Sequence, residues 1–388
     1  MPAASNRSRS EGQRPAVRPP PAAGLTTTNA RIARQSILGL PKEAAMTTAG
    51  IIDGDGHVTE SNEQLARYID PAYRDFGSNK GARAYYPTDG WDRSVRGTLG
   101  ERGSDAKAWL EALDRGGVDT SVLYPTAGLS VGWVREPDVA VAVCRAYNDF
   151  FHHELMQSPR LKGVALLPLQ DPNAAVEELR RTHALGFVGS MLPAVGLRKP
   201  LGHDDFWPIY AEAERLGTMV GVHATVRGPQ FFGADLFDRF IEVHTLSHAF
   251  AQMIQMTSMA FQGVFAAFPR LKVAFLEAGC TWVPYWLGRM DEEWEKRGAL
   301  EAPRCTRKPS EYLTSDRLFY PAEASEWLLG PTVEALGKAG IFYASDWPHW
   351  DNEFPENIHH MQERKDISDE TKRQILAGTA RRLYGLDR

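Results

Sequence analysis

Five side chains of the kinds that hold metal ions or move protons stand directly after short apolar runs. They are Asp55 and His57 in Ile51-Ile52-Asp53-Gly54-Asp55-Gly56-His57, His223 after Gly221-Val222, Glu277 after Ala274-Phe275-Leu276, and Asp346 in Ala344-Ser345-Asp346-Trp347-Pro348-His349. Asp55 and His57 are two apart, so in extended chain both point to one side and can reach one ion. Asp-Gly is also ordinary turn chemistry. His223 fits a hydrogen-bonded core imidazole as well as a ligand. Glu277 is harder to explain by packing, because burying a carboxylate is costly unless it is paired or metal-bound. Oxygen and nitrogen donors gathered together, with one coordination position left for water or substrate, are what a catalytic zinc, manganese or iron ion requires.

For these residues to meet, the runs before them must be parallel strands with their C-terminal ends together. The pattern predicts strands over 50–53, 118–124, 163–169, 186–192, 218–222, 272–276, 317–320 and 340–345. Helix-like stretches cover 105–115, 137–156, 173–185, 204–216, 246–268, 284–297 and 322–339. A final helix starts after the N-cap residue Ser368, with Asp369 and Glu370 in its first turn, and runs to Tyr384 before Gly385. Strands and helices alternate, and about eight strands are what a closed parallel barrel needs. The expected fold class is therefore α/β, a (β/α)8 TIM barrel with its chemistry at the C-terminal mouth.

The 388 residues, 43% hydrophobic and 24% charged, suffice for one barrel and an appendage. Residues 1–48 differ from the rest: they are rich in Pro, Ala, Ser and Arg without an apolar period, the composition of a disordered extension or of a start upstream of Met46. The barrel domain is expected over 49–388. Basic residues outnumber Glu11 and Glu43 in the extension, so the acidity of the whole, net −5, lies in the remainder and argues against a nucleic-acid partner. No apolar run approaches the ~20 residues of a membrane span. Cys144, Cys280 and Cys305, without Cys-x-x-Cys, favour a reducing cytoplasm over a disulfide framework.

Six ordered pieces carry a family resemblance: Ile51-Ile52-Asp53 through Glu60; Gly221-Val222-His223; Gly263-Val264-Phe265 through Val273; Phe275-Leu276-Glu277-Ala278-Gly279; Ser345-Asp346-Trp347-Pro348-His349; and Ala380-Arg381-Arg382-Leu383-Tyr384-Gly385. From about residue 50 to its end the chain resembles the amidohydrolase-related family typified by aminocarboxymuconate-semialdehyde decarboxylase, which includes resorcylate and carboxyvanillate decarboxylases. The resemblance implies one divalent ion, Zn2+ or Mn2+ with Fe2+ as a further option, held by Asp55, His57, His223 and Asp346. It also implies a small-molecule substrate and a homodimer or higher homo-oligomer. Two departures matter. Many members have His-x-His where this chain has Asp55-Gly56-His57, which makes the site harder and more anionic, toward manganese. Where the decarboxylases have a catalytic histidine in a stretch like His-x-Gly-Gly, this chain has Glu277-Ala278-Gly279.

His248 can compensate. It lies one helical turn after His244, in a helix that follows a Gly-containing loop and opens over the barrel mouth. Asp346, His248 and Glu277 are thus the expected catalytic groups. His349 and Trp347 are candidates for touching substrate, and Arg227 and Arg289 for holding a carboxylate through a bidentate pair. Trp282, Tyr285, Trp286 and Trp294 are spaced for core or subunit contact. These parts serve a metal-dependent, non-oxidative decarboxylase of an aromatic or unsaturated carboxylic acid. The alternative is a hydrolase that attacks an amide, lactone or related bond with metal-activated water.

Overall fold

The structure, a computed structural model, describes residues 50–75, 105–225 and 236–386. The expected extension over 1–48 and the candidate Arg227 lie outside the described residues. Strands β1 (Ile51–Val58), β2 (Val118–Pro125), β3 (Leu161–Leu166), β4 (Gly189–Pro193), β5 (Met219–His223), β6 (Lys272–Leu276), β7 (Leu318–Ala322) and β8 (Gly340–Tyr343) form one eight-stranded sheet in chain order. Neighbours pair in parallel from β1 with β2 through β7 with β8. The ring closes just past the end of β8: Asp346 N–H donates to the Asp55 carbonyl at 3.0 Å, and His57 N–H to the Trp347 carbonyl at 2.8 Å. β4, β5, β7 and β8 are buried throughout, as strands of a parallel sheet covered on both faces should be.

Helices α1 (Ala106–Gly116), α2 (Pro137–Glu154), α3 (Pro172–Ala184), α4 (Trp207–Leu216), α5 (Phe240–Phe261), α6 (Val283–Glu301) and α7 (Leu329–Leu336) connect the strands. α1 shows why they form where they do. The Asp105 carboxylate accepts from Ala108 N–H at the start, Trp109, Ala112 and Leu113 bury one face, and Gly117 ends the helix in left-handed backbone. Past the Ser368 cap, the C-terminal helical segment passes through one π turn to α8 (Thr379–Tyr384), ending at left-handed Gly385. The Tyr384 hydroxyl donates to the Gly54 carbonyl at 2.6 Å, anchoring the chain's end to its first strand.

Among the boundaries that differ from expectation, three have a clear physical reason. β1 continues to Val58 instead of ending at Asp53, so Asp55 and His57 lie inside the strand. Its glycines serve close approach, not a turn: a Cβ on Gly54 would sit 2.5 Å from the Phe342 ring, and one on Gly56 2.4 Å from Trp109. The helix expected over 246–268 runs from Phe240 to Phe261, and Gly263 at φ 89° separates it from the short turn Val264–Ala267. The helix expected over 322–339 starts only at Leu329, because Ala322 still belongs to β7 and the next residues wrap around the Glu326 carboxylate, which accepts from Glu323 N–H. Among the described residues no helix is long and apolar enough to cross a membrane.

Candidate active site

Asp55 and His57 on β1 and His223 at the end of β5 meet inside the barrel mouth. His57 Nε2 lies 3.6 Å and His223 Nε2 3.5 Å from Asp55 Oδ1. Asp346, just beyond β8, brings its Oδ1 to 3.4 Å from His57 Nε2. Both imidazoles turn Nδ1 toward main-chain carbonyls, His57 to Pro125 at 2.9 Å and His223 to Ala224 at 2.8 Å. That fixes Nδ1 as the protonated nitrogen and aims the Nε2 lone pairs at each other. Asp55 Oδ1, His57 Nε2 and His223 Nε2 are buried and have no hydrogen-bond partner. Unpaired buried acceptors facing one another are costly. A cation between them removes the cost, and donors ~2.1 Å from a tetrahedral ion stand about 3.4 Å apart. The residues therefore fit one divalent metal ion, and these three form a cluster able to hold it.

The charges point the same way. Burial, together with the nearby His349 and His223, holds His57 well below the ordinary histidine range, so it is a neutral donor. Burial alone would lower His223 too, but Asp55 and Glu277 outweigh it and push the group up to about 9. The anionic surroundings demand a positive charge at His223, which either a proton or a metal ion supplies.

A second layer surrounds these donors. His349 stacks on His57 with ring centroids 4.0 Å apart, its Nδ1 is 2.6 Å from Asp346 Oδ1, and its Nε2 is 3.1 Å from Thr126 Oγ1. Burial opposes its protonation, but Asp346 and Glu277 raise it well above the ordinary value. Glu277 stands among three imidazoles, with Oε2 3.1 Å from His223 Nδ1 and Oε1 3.6 Å from His248 Nε2 and 3.7 Å from His349 Nδ1. Burial pushes its carboxyl up to about 7. Burial also keeps His248 well below the ordinary range, with His244 and His223 adding to the effect. Among the described residues, Glu277 (φ 55°) and Asp346 (φ 53°) are the non-glycine residues in left-handed backbone. Such strain costs about 1–3 kcal/mol and is retained where side-chain direction matters.

Several supports carry no signal that sequence reasoning had used. Asp53, almost fully buried, accepts from Ser121 Oγ (2.6 Å), Ser345 N (2.8 Å), Ser345 Oγ (2.8 Å) and Asp55 N (3.2 Å), which joins β1, β2 and the loop after β8. Burial still lifts it to about 6. Gln252, buried on α5, donates to the Val222 carbonyl at 2.8 Å and the Leu276 carbonyl at 2.6 Å, one residue before His223 and Glu277 respectively. An amide inside the apolar stretch Ala249-Phe250-Ala251-Gln252-Met253-Ile254 was the available clue. The Glu326 carboxylate accepts from Cys280 N and Thr281 N and so holds the loop that follows Glu277.

A cavity of about 310 Å³ opens above, lined by Asp55, His248, Glu277 and Asp346 together with His244, Glu323 and Asp351. The other expected substrate contacts fall elsewhere. Trp347 is buried against Trp109, with ring centroids 4.5 Å apart, and is not among the lining residues, because its side chain packs beneath β1 while its carbonyl serves His57. Arg289 lies exposed on α6, paired with Glu292 at 3.0 Å and Glu293 at 2.5 Å, away from the cavity. His349 sits under the donors, not on the cavity wall.

A parallel eight-stranded barrel with two imidazoles and two carboxylates converging at its C-terminal mouth defines a mononuclear metal-dependent enzyme scaffold. The chain belongs to the amidohydrolase family, whose sequence profile matches residues 52–386. It is 28% identical to the 2-amino-3-carboxymuconate-6-semialdehyde decarboxylase of Dictyostelium discoideum, over 73% of this chain and 79% of that one. It is also 28% identical to the gamma-resorcylate decarboxylase of Rhodococcus jostii, over 72% and 87%. Its fold is similar to that of an amidohydrolase from Mycobacterium avium subsp. paratuberculosis, at TM-score 0.71 and 20% identity over 87% of this chain and 100% of that one. A dihydroxybenzoic acid decarboxylase from Polaromonas sp. JS666, with bound manganese and the inhibitor 2-nitroresorcinol, superposes at TM-score 0.65 and 21% identity, covering 88% and 98%.

Proposed function

We propose that this enzyme is a metal-dependent, non-oxidative decarboxylase of an aromatic or unsaturated carboxylic acid. The observation that carries the reading is the meeting of three unpartnered buried donor atoms with the Asp346–His349 pair under one cavity. The decarboxylase relatives support it. Asp55, His57, His223 and Asp346 would hold the ion; two carboxylates make this donor set hard and favour Mn2+ over Zn2+. When bound, the ion supplies a positive anchor for the substrate's carboxylate and a neighbouring oxygen.

The chain's own groups manage the proton. As the bond to the carboxyl carbon breaks, its electron pair stays on the substrate carbon, carbon dioxide leaves, and that carbon takes up one proton. Asp346 and Glu277 favour the protonated form of His349, whose Nδ1 lies 2.6 Å from Asp346 Oδ1, so His349 would be the source of that proton, passed by way of the Asp346 carboxylate, and would regain one from solvent. Glu277 keeps His223 and His248 oriented around this path.

Hydrolysis is the second reading, favoured by one observation: Glu277 presents a carboxyl with an elevated pKa to the cavity, where it can act as a general base. The test is turnover of dihydroxybenzoates labelled with 13C in the carboxyl group. Release of labelled carbon dioxide supports the lyase. Oxygen from labelled water appearing in a new carboxylate would instead establish the hydrolase.

The proposal extends to a homodimer or higher homo-oligomer. Exposed Ile241 and Phe250 on α5 and Tyr285 on α6 are apolar side chains of the sort an interface covers. A monomer in sedimentation velocity would reject this. Three free buried cysteines fit the reducing cytoplasm as its location.

A further inference from the structure

A second cavity, of about 190 Å³, lies among the loops after β2, β3 and β4, on residues distinct from those of the cavity described above. Its floor is apolar: Val134, Leu169 and Phe206 are buried there, with Leu197 beside them. Its rim is cationic, formed by Arg135, Arg198 and Lys199, with Asp205 as the one carboxylate. Lys199 is already paired with Asp205 at 2.6 Å. Arg135 is fixed in place, donating to the Gly196 carbonyl at 3.0 Å and lying over the Trp133 ring. Arg198 has no ion pair among the described residues. The Gln170 side chain, at the same wall, donates to the carbonyls of Val131 and Val134 and leaves its buried Oε1 without a partner.

We infer that this cavity is a binding site for a small carboxylic acid with a flat apolar body. The assignment follows from charge and size. A guanidinium that makes no ion pair among the described residues matches a carboxylate in fork geometry, and an apolar floor beneath it matches a ring or short chain. The volume is enough to seat a single-ring acid. Inorganic phosphate satisfies the cationic rim and leaves the floor unused, so the structure favours the amphipathic acid. The inference does not rest on the proposed function.

The experiment is isothermal titration of the metal-loaded, full-length protein with 4-fluorobenzoate, on wild type and Arg198→Ala, with inorganic phosphate as competitor. The site assigned here gives a binding component that weakens about tenfold or more in Arg198→Ala, with turnover of the variant unchanged and phosphate a poor competitor. Identical isotherms for the two proteins would overturn the inference. Displacement by phosphate at concentrations equal to the aryl acid would overturn the ligand class.

Discussion

The Asp346 N–H donates to the Asp55 carbonyl at 3.0 Å, so the acidic residues of the first strand and of the loop after the last are tied together through main chain before any ion is considered. Their side chains reach His57 Nε2 from two directions, Asp55 Oδ1 at 3.6 Å and Asp346 Oδ1 at 3.4 Å. Substitution of either carboxylate should therefore change chemistry more than fold. Asp346→Asn is expected to lower kcat/KM by about 10²–10⁴-fold, the range for loss of a proton-transfer group, with the far-ultraviolet spectrum of the wild type. Activity within threefold of wild type would remove Asp346 from its assigned role.

His223→Ala removes one of the facing Nε2 donors and should yield protein without its bound metal. Elemental mass spectrometry checks this directly: about one manganese or zinc per chain is expected in the wild type and little in the variant. Equal metal content in the two would place the ion elsewhere.

Stripping the metal should also cost stability, because three buried acceptors are left facing one another. An ion present at 100 times its dissociation constant stabilises by about 2.7 kcal/mol. Chelated protein should therefore melt a few degrees lower and recover when Mn2+ is added back. A melting temperature indifferent to chelator and to Mn2+ would count against the site.

Asp53 does not line the cavity above the site, yet its carboxylate accepts from Ser121, Ser345 and Asp55. Asp53→Ala leaves these donors unpaired in the interior, and urea denaturation should show a loss of about 3 kcal/mol or more. A loss below 1 kcal/mol would mean that water replaces the carboxylate and that the strand seam does not depend on it.

Far from the mouth, Glu212 is almost buried, and bonds from Arg215 and Arg180 hold its carboxyl down at about 2. A depressed acid stabilises the fold above its unfolded value, ordinarily near 4.5, and that contribution fades as pH falls toward the folded value. Wild type should thus exceed Glu212→Gln in stability by a constant margin above about pH 5, narrowing steadily below 4.5. A margin that widens on acidification would contradict the pairing.

Much of this architecture is legible in the chain because parallel strands covered on both faces must be continuous apolar runs, and residues 272–276 read as a strand with the very limits observed. Asp55, His57, His223 and Asp346 are candidates in the sequence because each stands at or beside such a run, and the structure brings them close together. What escaped notice was held by partners remote in sequence. Asp53 is separated by 292 positions from Ser345, and nothing local distinguishes it from any Asp-Gly. Gln252 reads as one polar residue in an apolar helix until β5 and β6 stand beside it. Arg289 failed for the opposite reason: its neighbours Glu292 and Glu293, three and four positions on, already offered it helix-surface pairs.

Because the barrel closes between β1 and the loop after β8, with Tyr384 bonded to a carbonyl 330 positions earlier, Asp346 joins Asp55 and His57 only when the two edges of the sheet have met. Contacts so distant in sequence form late and slowly. A chain lacking β8 has Asp55, His57 and His223 but neither Asp346 nor the main-chain bonds that fix β1, so the last carboxylate reaches the mouth as the ring closes.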